Sequence, residues 1–447
     1  MDKIIPAFRQ AFEREEGYAL ADVFSPVPPS SDPDRLYAIQ RGIDSFSIQS
    51  SLKTALKPLH FGQQERDIWV DVFVHYWKSI NELLAAEEAS GQGKAPDWTP
   101  VYTSWKELLN FIHRGYTQSL FEPWTIPLLY AVTKHLRTFA IQADAALLAS
   151  PPSRNITSGL DDLSAGDETN NTPNLEDCAR QINRIFALVT QDRSPPPNRK
   201  YGTYYIATLL FRTYFRLNSY SLCKNIIRSI NAASAADMPS LDLFPKAHQV
   251  GYKYYVGVVA FLDERYEDAL VQLESAYNQC LAGTEGHSQA ERILFYLVPT
   301  QLLVRHRLPT AKLLERYAGL QALYAPLCTA VRRGDLGAFD AALAKGEDLF
   351  VRRRVYLTLE RGRDVCLRNL FRRVYLSGGF EGEVRRSRFP IAEFRAGLAV
   401  VGQRLAGDEV EALVAGLIYK DLVKGYISRG HAMVVLSKKG AFPGTGV

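Results

Sequence analysis

Short polar turns divide the middle of this chain into consecutive helix pairs, and this pattern constrains the fold more than any other feature. Between residues 177 and 349, apolar residues recur at helical spacing on both sides of each turn. The turns begin 46, 43 and 27 residues apart, which is too irregular for a strict repeat. They occupy residues 217–219, 263–265, 306–309 and 333–335. We therefore predict a degenerate solenoid of stacked helix pairs over residues 176–350.

The second helix pair carries small and aromatic residues in an order similar to that of tetratricopeptide (TPR) repeats. Gly257, Ala260 and Ala269 are small enough to let two helices approach closely, while Tyr255 and Tyr266 can fill the next groove. The same inter-helix packing is the expected role of most other tyrosines in this region, such as those near residues 204 and 254. The predicted solenoid is accordingly TPR-like.

The N-terminal helical region, residues 1–149, is predicted to consist of helices with loops between them. Residues 69–77 favour a buried helix by length and context, although their β-branched residues leave a strand as an alternative. A long helix is expected over residues 125–148, because Pro127 falls in its first turn and is tolerated there. Residues 150–175 are rich in Ser, Pro, Gly, Asn and Asp and are predicted to form a flexible linker.

The last part of the chain, residues 351–447, contains two further helices with clear boundary signals. Pro390 is expected to start the first helix, because its missing N–H would have no partner in that position. Asp408 is expected to cap the second helix, with Glu411 three residues later completing a capping box. Gly425 is expected to end it.

A β-hairpin is predicted directly after these two helices. Its strands are expected at residues 426–428 and 432–437, on either side of a turn at Arg429 and Gly430. Helix, helix and hairpin is the order of a winged helix. The sequence thus predicts a mainly α chain, in which the TPR-like solenoid is followed by a C-terminal winged helix.

Positive charge is concentrated in the last quarter of the chain. Residues 331–447 contain 21 Lys/Arg against 13 Asp/Glu, a net charge of +8, whereas the whole chain carries only +5. This asymmetry indicates an anionic partner, either nucleic acid or an acidic protein. Cationic side chains suit sequence-independent contact with phosphates. If the partner is nucleic acid, charge and position place its contacts at Arg372, Arg385, Arg386, Arg388, Lys420, Lys424, Arg429, Lys438 and Lys439.

A long basic helix is expected to run from Arg352 to about Tyr375. Four of its arginines are spaced 7, 7 and 4 residues apart, which would align them along one helix face: Arg354, Arg361, Arg368 and Arg372. For any single arginine, a solvated position paired with a nearby carboxylate is the favoured interpretation. For the cluster as a whole, an anionic partner is favoured.

No residue pattern points to catalysis, a metal or a cofactor. The eight histidines are well separated, and no His-x-His or His-Glu-x-x-His spacing occurs. The five cysteines are scattered and form no Cys-x-x-Cys pair. The longest uncharged apolar stretch, residues 293–304, is too short for a membrane span, and the N-terminal residues do not form a secretory signal. We therefore expect a protein that is not an enzyme and has no cofactor.

Several segments resemble the PCI family found in proteasome lid, signalosome and translation-initiation subunits. The segments 177–188, 200–205, 211–217 and 222–228 are similar to the fungal group named after signalosome subunit twelve. Arg368-Asn-Leu-Phe-Arg-Arg-Val-Tyr375 and Lys424-Gly-Tyr-Ile-Ser428 are similar to this group and to its animal relatives, the group of PCI domain-containing protein two. The resemblance covers about residues 177–443, whereas the inserted segment 378–387 matches no motif of the family.

This resemblance implies a non-catalytic scaffold with two protein partners and a nucleic-acid ligand. The expected partners are a second PCI protein of the Sac/GANP type, which pairs through the winged helices, and a small acidic protein of the Sem/Dss type. The complex would bind RNA or DNA and act in transcription-coupled mRNA biogenesis (elongation, splicing and export), in the nucleus and also in the cytoplasm. Partner contacts are expected near the hairpin, at Tyr419, Tyr426, Ile427, Val434 and Leu436. The alternative is a structural subunit associated with the COP-nine signalosome that makes no nucleic-acid contact.

Overall fold

The fold is taken from a computed structural model, which describes residues 4–41, 48–59, 61–149, 172–234, 237–281, 284–381 and 384–446. The chain divides into two compact units, Met1–Tyr252 and Lys253–Val447. The division falls inside helix Lys246–Leu262, within the predicted solenoid.

The first unit is built from helices, and its core is aromatic. Trp69 and Phe73 are fully buried and pack with Phe8 and Phe24 at ring-centroid distances of 5.0–6.2 Å. The helices of this unit are α1 Ile4–Glu13, α2 Gly17–Val23, α3 Arg35–Arg41, α4 Ile48–Ala55, α5 Gln63–Gly91, α6 Thr99–Thr117, α7 Ile126–Ala149, α8 Pro173–Thr190, α9 Thr203–Arg216, α10 Ser221–Ser234 and the start of α11 Lys246–Leu262.

Two predictions for the N-terminal region are confirmed. Residues 69–77 lie within α5, so the helix is correct and the strand alternative is wrong. The long helix expected over residues 125–148 is α7, with Pro127 in its first turn. Helix α7 also packs on α6, where Trp105 donates its indole N–H to the carbonyl of Val132 in α7 at 2.9 Å.

Helices α7 and α8 pack on each other, and the predicted linker lies between them except for residues 173–175, which are the first turn of α8. Residues 150–171 of that linker lie outside the described residues. The carboxylate of Asp144, which is buried in α7, accepts the backbone N–H groups of Asn174 and Leu175 at 3.0 and 2.9 Å. It satisfies two of the free N–H groups at the start of α8, which begins at Pro173.

The four predicted turns of the solenoid are confirmed, and each contains one residue in the left-handed backbone region. These residues are Asn218, Glu264, His306 and Gly334, with φ between 52° and 71°. A single left-handed residue ends a helix and redirects the chain, which explains why a helix pair lies around each turn. Small residues also act as predicted, because a Cβ at Gly257 of α11 would lie 2.8 Å from Cγ of Leu273 in the next helix.

The second unit continues the helix pairs and ends in a small mixed domain. Its helices are the rest of α11, α12 Tyr266–Gln279, α13 Thr284–Arg305, α14 Ala311–Glu315, α15 Ala318–Arg333, α16 Leu336–Lys345, α17 Glu347–Arg352, α18 Tyr356–Arg361, α19 Arg363–Ser377, α20 Ile391–Val400 and α21 Gly407–Tyr419. Its strands are β1 Phe380–Glu381, β2 Val384–Arg385, β3 Arg388–Pro390, β4 Gly425–Ser428 and β5 Met433–Leu436.

The predicted winged helix is confirmed, with a third strand added. Strands β3, β5 and β4 form an antiparallel sheet in that order, and β3 immediately precedes α20. Phe389, Phe394 and Val434 are buried beneath the sheet and form its core. Pro390 is the N-cap of α20, one residue from its expected place.

The predicted boundaries of α21 are wrong. The N-cap is Ala406, whose N–H donates to the Glu409 carboxylate at 2.7 Å, and Asp408 lies in the first turn. The helix ends at Tyr419, because Asp421 takes a left-handed conformation with φ 57°. Gly425 therefore begins β4 and does not end the helix.

The predicted long basic helix is also wrong, since the chain forms three short helices there. Arg354 has φ 59°, and the N–H of Val355 donates to the carbonyl of Phe350, which ends α17. Gly362 separates α18 from α19. The expected arginine stripe is consequently absent: Arg368 is buried, and Arg361 pairs with Glu264 at 3.0 Å.

Candidate nucleic-acid and partner interface

The register of the winged-helix sheet brings four predicted cations to one end of the sheet. Arg388 begins β3. The N–H of Leu436 in β5 donates to the carbonyl of Ser387, the residue just before β3. Lys424 precedes β4, and its carbonyl accepts the N–H of Ser437 at 2.8 Å. Lys438 and Lys439 directly follow Ser437 in the sequence. We call Arg388, Lys424, Lys438 and Lys439 the basic end of the sheet.

All four cations of the basic end are exposed to solvent. No ion pair joins any of them to another described residue. Four unneutralised positive charges in one small area attract anions, and phosphate is the anion that lysine and arginine bind most generally.

An aromatic and a branched residue lie beside the basic end on the outer face of the sheet. Arg388, Val435 and Tyr426 are cross-strand neighbours on β3, β5 and β4. Lys424 is two residues before Tyr426, so both side chains point to the same face. Tyr426 is 63% exposed, which leaves an aromatic surface next to the cations.

Arg429 is not part of this cluster. It lies in the hairpin turn, beyond the four-residue strand β4 and thus about 13 Å from the basic end. Its side chain is largely exposed, but its guanidinium pairs with the carboxylate of Glu411 at 3.5 Å.

The remaining predicted cations already have partners within the chain. Arg386 pairs with Glu393 at 2.8 Å and lies over the ring of Phe389. The guanidinium of Arg385 lies 4.7 Å from the ring centroid of Phe380. Lys420 pairs with Asp364. Arg372 is half-buried and donates to the carbonyl of Thr445 at 3.4 Å. These four side chains are less available to a ligand than the basic end.

The residues expected to contact a protein partner divide into exposed and buried sets. Tyr419, at the end of α21, is 91% exposed, and Tyr426 is exposed as well. Ile427 is half-buried. Val434 and Leu436 are buried in the core of the winged helix, because alternate residues of β5 point to the buried face of the sheet. We correct the expectation for these two residues: their side chains stabilise the hairpin and are not available to a partner.

Val435 was not expected at this surface. It is half-exposed on the outer face of β5, between Arg388 and Tyr426. The period-two alternation of a strand, with Val434 and Leu436 inward, was the signal that could have identified it.

In the described part of the chain, no cluster of side chains supports metal binding or thiol chemistry. No group of three or more His, Cys, Asp or Glu side chains there could hold a metal ion. Burial raises the pKa of the Cys223 and Cys366 thiols to about 12. None of the described helices combines the length and the apolar character that crossing a membrane requires.

Comparison with known proteins identifies the family. The model of the PCI domain matches residues 343–438, which include the whole three-stranded sheet. The chain is 45% identical to a protein named Protein CSN12 homolog from Gibberella zeae, over 100% of both chains. This chain belongs to the CSN12 homologue family of PCI-domain proteins. It is also 39% identical to the Protein CSN12 homolog of Schizosaccharomyces pombe, over 75% of this chain and 76% of the relative.

The relationship extends to animal PCI proteins. PCI domain-containing protein 2 of Danio rerio is 32% identical over 72% of this chain and 73% of its own length. The resemblance to the PCI family and to both groups within it is therefore confirmed. The basic end of the sheet lies in the PCI domain, with Lys439 one residue beyond the matched range.

Proposed function

We propose that this protein is a non-catalytic PCI scaffold subunit that binds the backbone of RNA or DNA through the basic end of its winged-helix sheet. The observation that carries this proposal is the convergence of Arg388, Lys424, Lys438 and Lys439, all exposed and without an ion pair to a described residue. Such a cluster favours phosphate contact without base reading.

In the same proposal, a second PCI protein of the Sac/GANP type binds the outer face of the sheet. Tyr426 and Val435 expose apolar surface beside the basic end, and Tyr419 is exposed at the end of α21. Aromatic residues of this kind are enriched at protein interfaces. A small acidic Sem/Dss-type protein, a role in transcription-coupled mRNA biogenesis, and a nuclear and cytoplasmic location complete the proposal by family resemblance.

The alternative is a structural subunit associated with the COP-nine signalosome without nucleic-acid contact. One observation favours it: Arg386, Lys420 and Arg429 are already paired with carboxylates of the same chain. The basic surface is therefore smaller than the net charge of this region suggests.

Binding of a fluorescent single-stranded RNA, measured by anisotropy, separates the two. We would compare the full chain alone with the chain co-expressed with Sac/GANP-type and Sem/Dss-type partners. The test variant changes Lys424, Lys438 and Lys439 to Glu. Its matched control changes Lys57, Lys94 and Lys134, which are exposed in the first unit, and so has the same net charge.

Binding that is lost in the test variant and kept in the control supports the nucleic-acid function. Circular dichroism would confirm that both variants fold, and a DNA strand of the same sequence would test the choice of nucleic acid. Equal binding by both variants, or none by any complex, would overturn the proposal in favour of the structural subunit.

A further inference from the structure

A cavity of about 500 Å³ lies among the helix pairs of the second unit. Helices α11, α13 and α15 contribute to its wall, together with the residue that follows α17. The side chains used below are Tyr254, Glu291, Arg292, Phe295, Tyr296 and Arg353. Its volume is within the range of pockets that hold small ligands, about 300–1,000 Å³.

Two arginines in the wall of this cavity favour an anion. Arg292 and Arg353 are both exposed in its wall, and no ion pair joins either of them to a described residue. Helix α15 also begins there, but the carboxylate of Glu291 already lies at this end, because its Oε1 is 2.7 Å from the position of a Cβ on Gly319.

Tyr254 adds a further polar side chain to the cavity wall. Tyr254 is only 8% exposed and lines the cavity, and no described residue forms a hydrogen bond with its hydroxyl. A ligand atom in the cavity could accept a hydrogen bond from this hydroxyl. Burial raises the pKa of Tyr254 despite the nearby charges of Arg353 and Arg292, so the hydroxyl stays protonated and can donate.

Aromatic rings form the other part of the wall and are held in place by hydrogen bonds. The guanidinium of Arg353 lies 5.9 Å from the ring centroid of Phe295. The hydroxyl of Tyr296 donates to the backbone carbonyl of Arg353 at 3.3 Å. The buried hydroxyl of Tyr324 donates to the backbone carbonyl of Phe295 at 2.6 Å. The aromatic and cationic groups are thus fixed beside each other before any ligand binds.

We propose that this cavity binds a nucleoside phosphate. The planar base would lie against Phe295 or Tyr296, and the phosphate would bind Arg292, Arg353 and the hydroxyl of Tyr254. The carboxylate of Glu291 is an acceptor in the same wall, suited to an amino group of the base. A ligand carrying carboxylates on every side would be repelled by Glu291, which favours a nucleotide over an acidic peptide.

The nucleoside phosphate in the cavity could be a free nucleotide or one nucleotide unit of a single-stranded nucleic acid. Isothermal titration calorimetry of the full chain would use adenosine 5′-monophosphate, adenosine, and a three-residue single-stranded RNA of adenines. Binding of the monophosphate but not of adenosine is expected. Binding of the RNA as well would assign the site to single strands, and binding of the monophosphate alone would assign it to free nucleotides.

Two cavity variants and one control locate the site. Arg353→Gln is expected to weaken monophosphate binding about ten- to a hundred-fold, and Tyr254→Phe about three- to ten-fold. Arg352→Gln removes the same charge from the neighbouring exposed arginine, outside the cavity wall, and should bind as the unchanged protein does.

No monophosphate binding by the folded chain, or equal loss in Arg353→Gln and Arg352→Gln, would overturn the proposal. The variant with Lys424, Lys438 and Lys439 changed to Glu should bind the monophosphate normally. This result would separate a failure of the cavity proposal from a failure of the proposed winged-helix function.

Discussion

Replacing Gly334 by alanine tests how tightly the solenoid is joined to the winged helix within the second unit. Gly334 ends α15 with φ 71°, and a Cβ there would lie 2.5 Å from the backbone N and 2.6 Å from the Cα of Leu370 in α19. The left-handed conformation alone costs an L-residue about 1–2 kcal/mol. The two contacts involve backbone atoms of a packed helix, so relieving them should cost a further 1–3 kcal/mol or so.

Gly379 provides a matched control in the same unit. Its φ is 72°, but a Cβ there would meet no atom within 4 Å. Gly379→Ala should therefore lose only about 1–2 kcal/mol of unfolding free energy, and Gly334→Ala about 2–5 kcal/mol. Urea unfolding followed by circular dichroism would measure both values from the shift in midpoint. Equal losses in the two variants would refute the close approach of this turn to α19.

Three further expectations concern a buried ion pair, a helix start and the partner surface. Burial alone would raise the pKa of Asp192, but N–H donors from Arg199 and Ser194 outweigh it and hold that pKa below its ordinary value. The folded protein should thus lose stability as pH falls below about 4, and Asp192→Asn should flatten this dependence in acid titrations followed by fluorescence. Asp144→Ala should lower the free energy of unfolding by about 1–3 kcal/mol in urea titrations, because two backbone N–H groups of α8 lose their acceptor; an unchanged midpoint would contradict this role. Tyr426→Ala should leave the melting temperature unchanged and weaken co-purification of the second PCI protein. Unchanged co-purification would contradict the assignment of the outer face of the sheet to the interface.

The parts of the fold that depend on local sequence could be predicted. Asn218 and Gly334 are residue types that tolerate a left-handed backbone, and both lie between apolar helical patterns. The hairpin could be predicted from its alternating pattern around Arg429 and Gly430. These signals are contained within a few residues of each turn.

Features that depend on distant contacts could not be predicted. Strand β3 has three residues and ends in a proline, and it pairs with a strand more than forty residues later, so no local pattern indicates it. The break at Arg354 was missed because arginine is a good helix former and rarely takes the left-handed conformation that it has here.

The candidate site shows the same division. The sequence identified the positive charge of the last quarter of the chain, but it could not show which cations are neutralised. Arg386 pairs with Glu393, whereas Lys438 is free of ion pairs with described residues. Hydrophobic pattern likewise cannot tell whether an apolar residue such as Val434 packs in the chain's own core or against a partner.

The salt dependence of RNA binding tests the proposed function most directly. The measurement is the slope of log Kd against log salt concentration, for the complex with its PCI partner and for the same complex with Lys424, Lys438 and Lys439 changed to Glu. Each lost phosphate contact should reduce the slope by about 0.7 for a single strand, so the variant should have a slope smaller by about 2. The matched variant at Lys57, Lys94 and Lys134 should keep the original slope. An identical slope in all three proteins would contradict a phosphate-binding role for the basic end of the sheet.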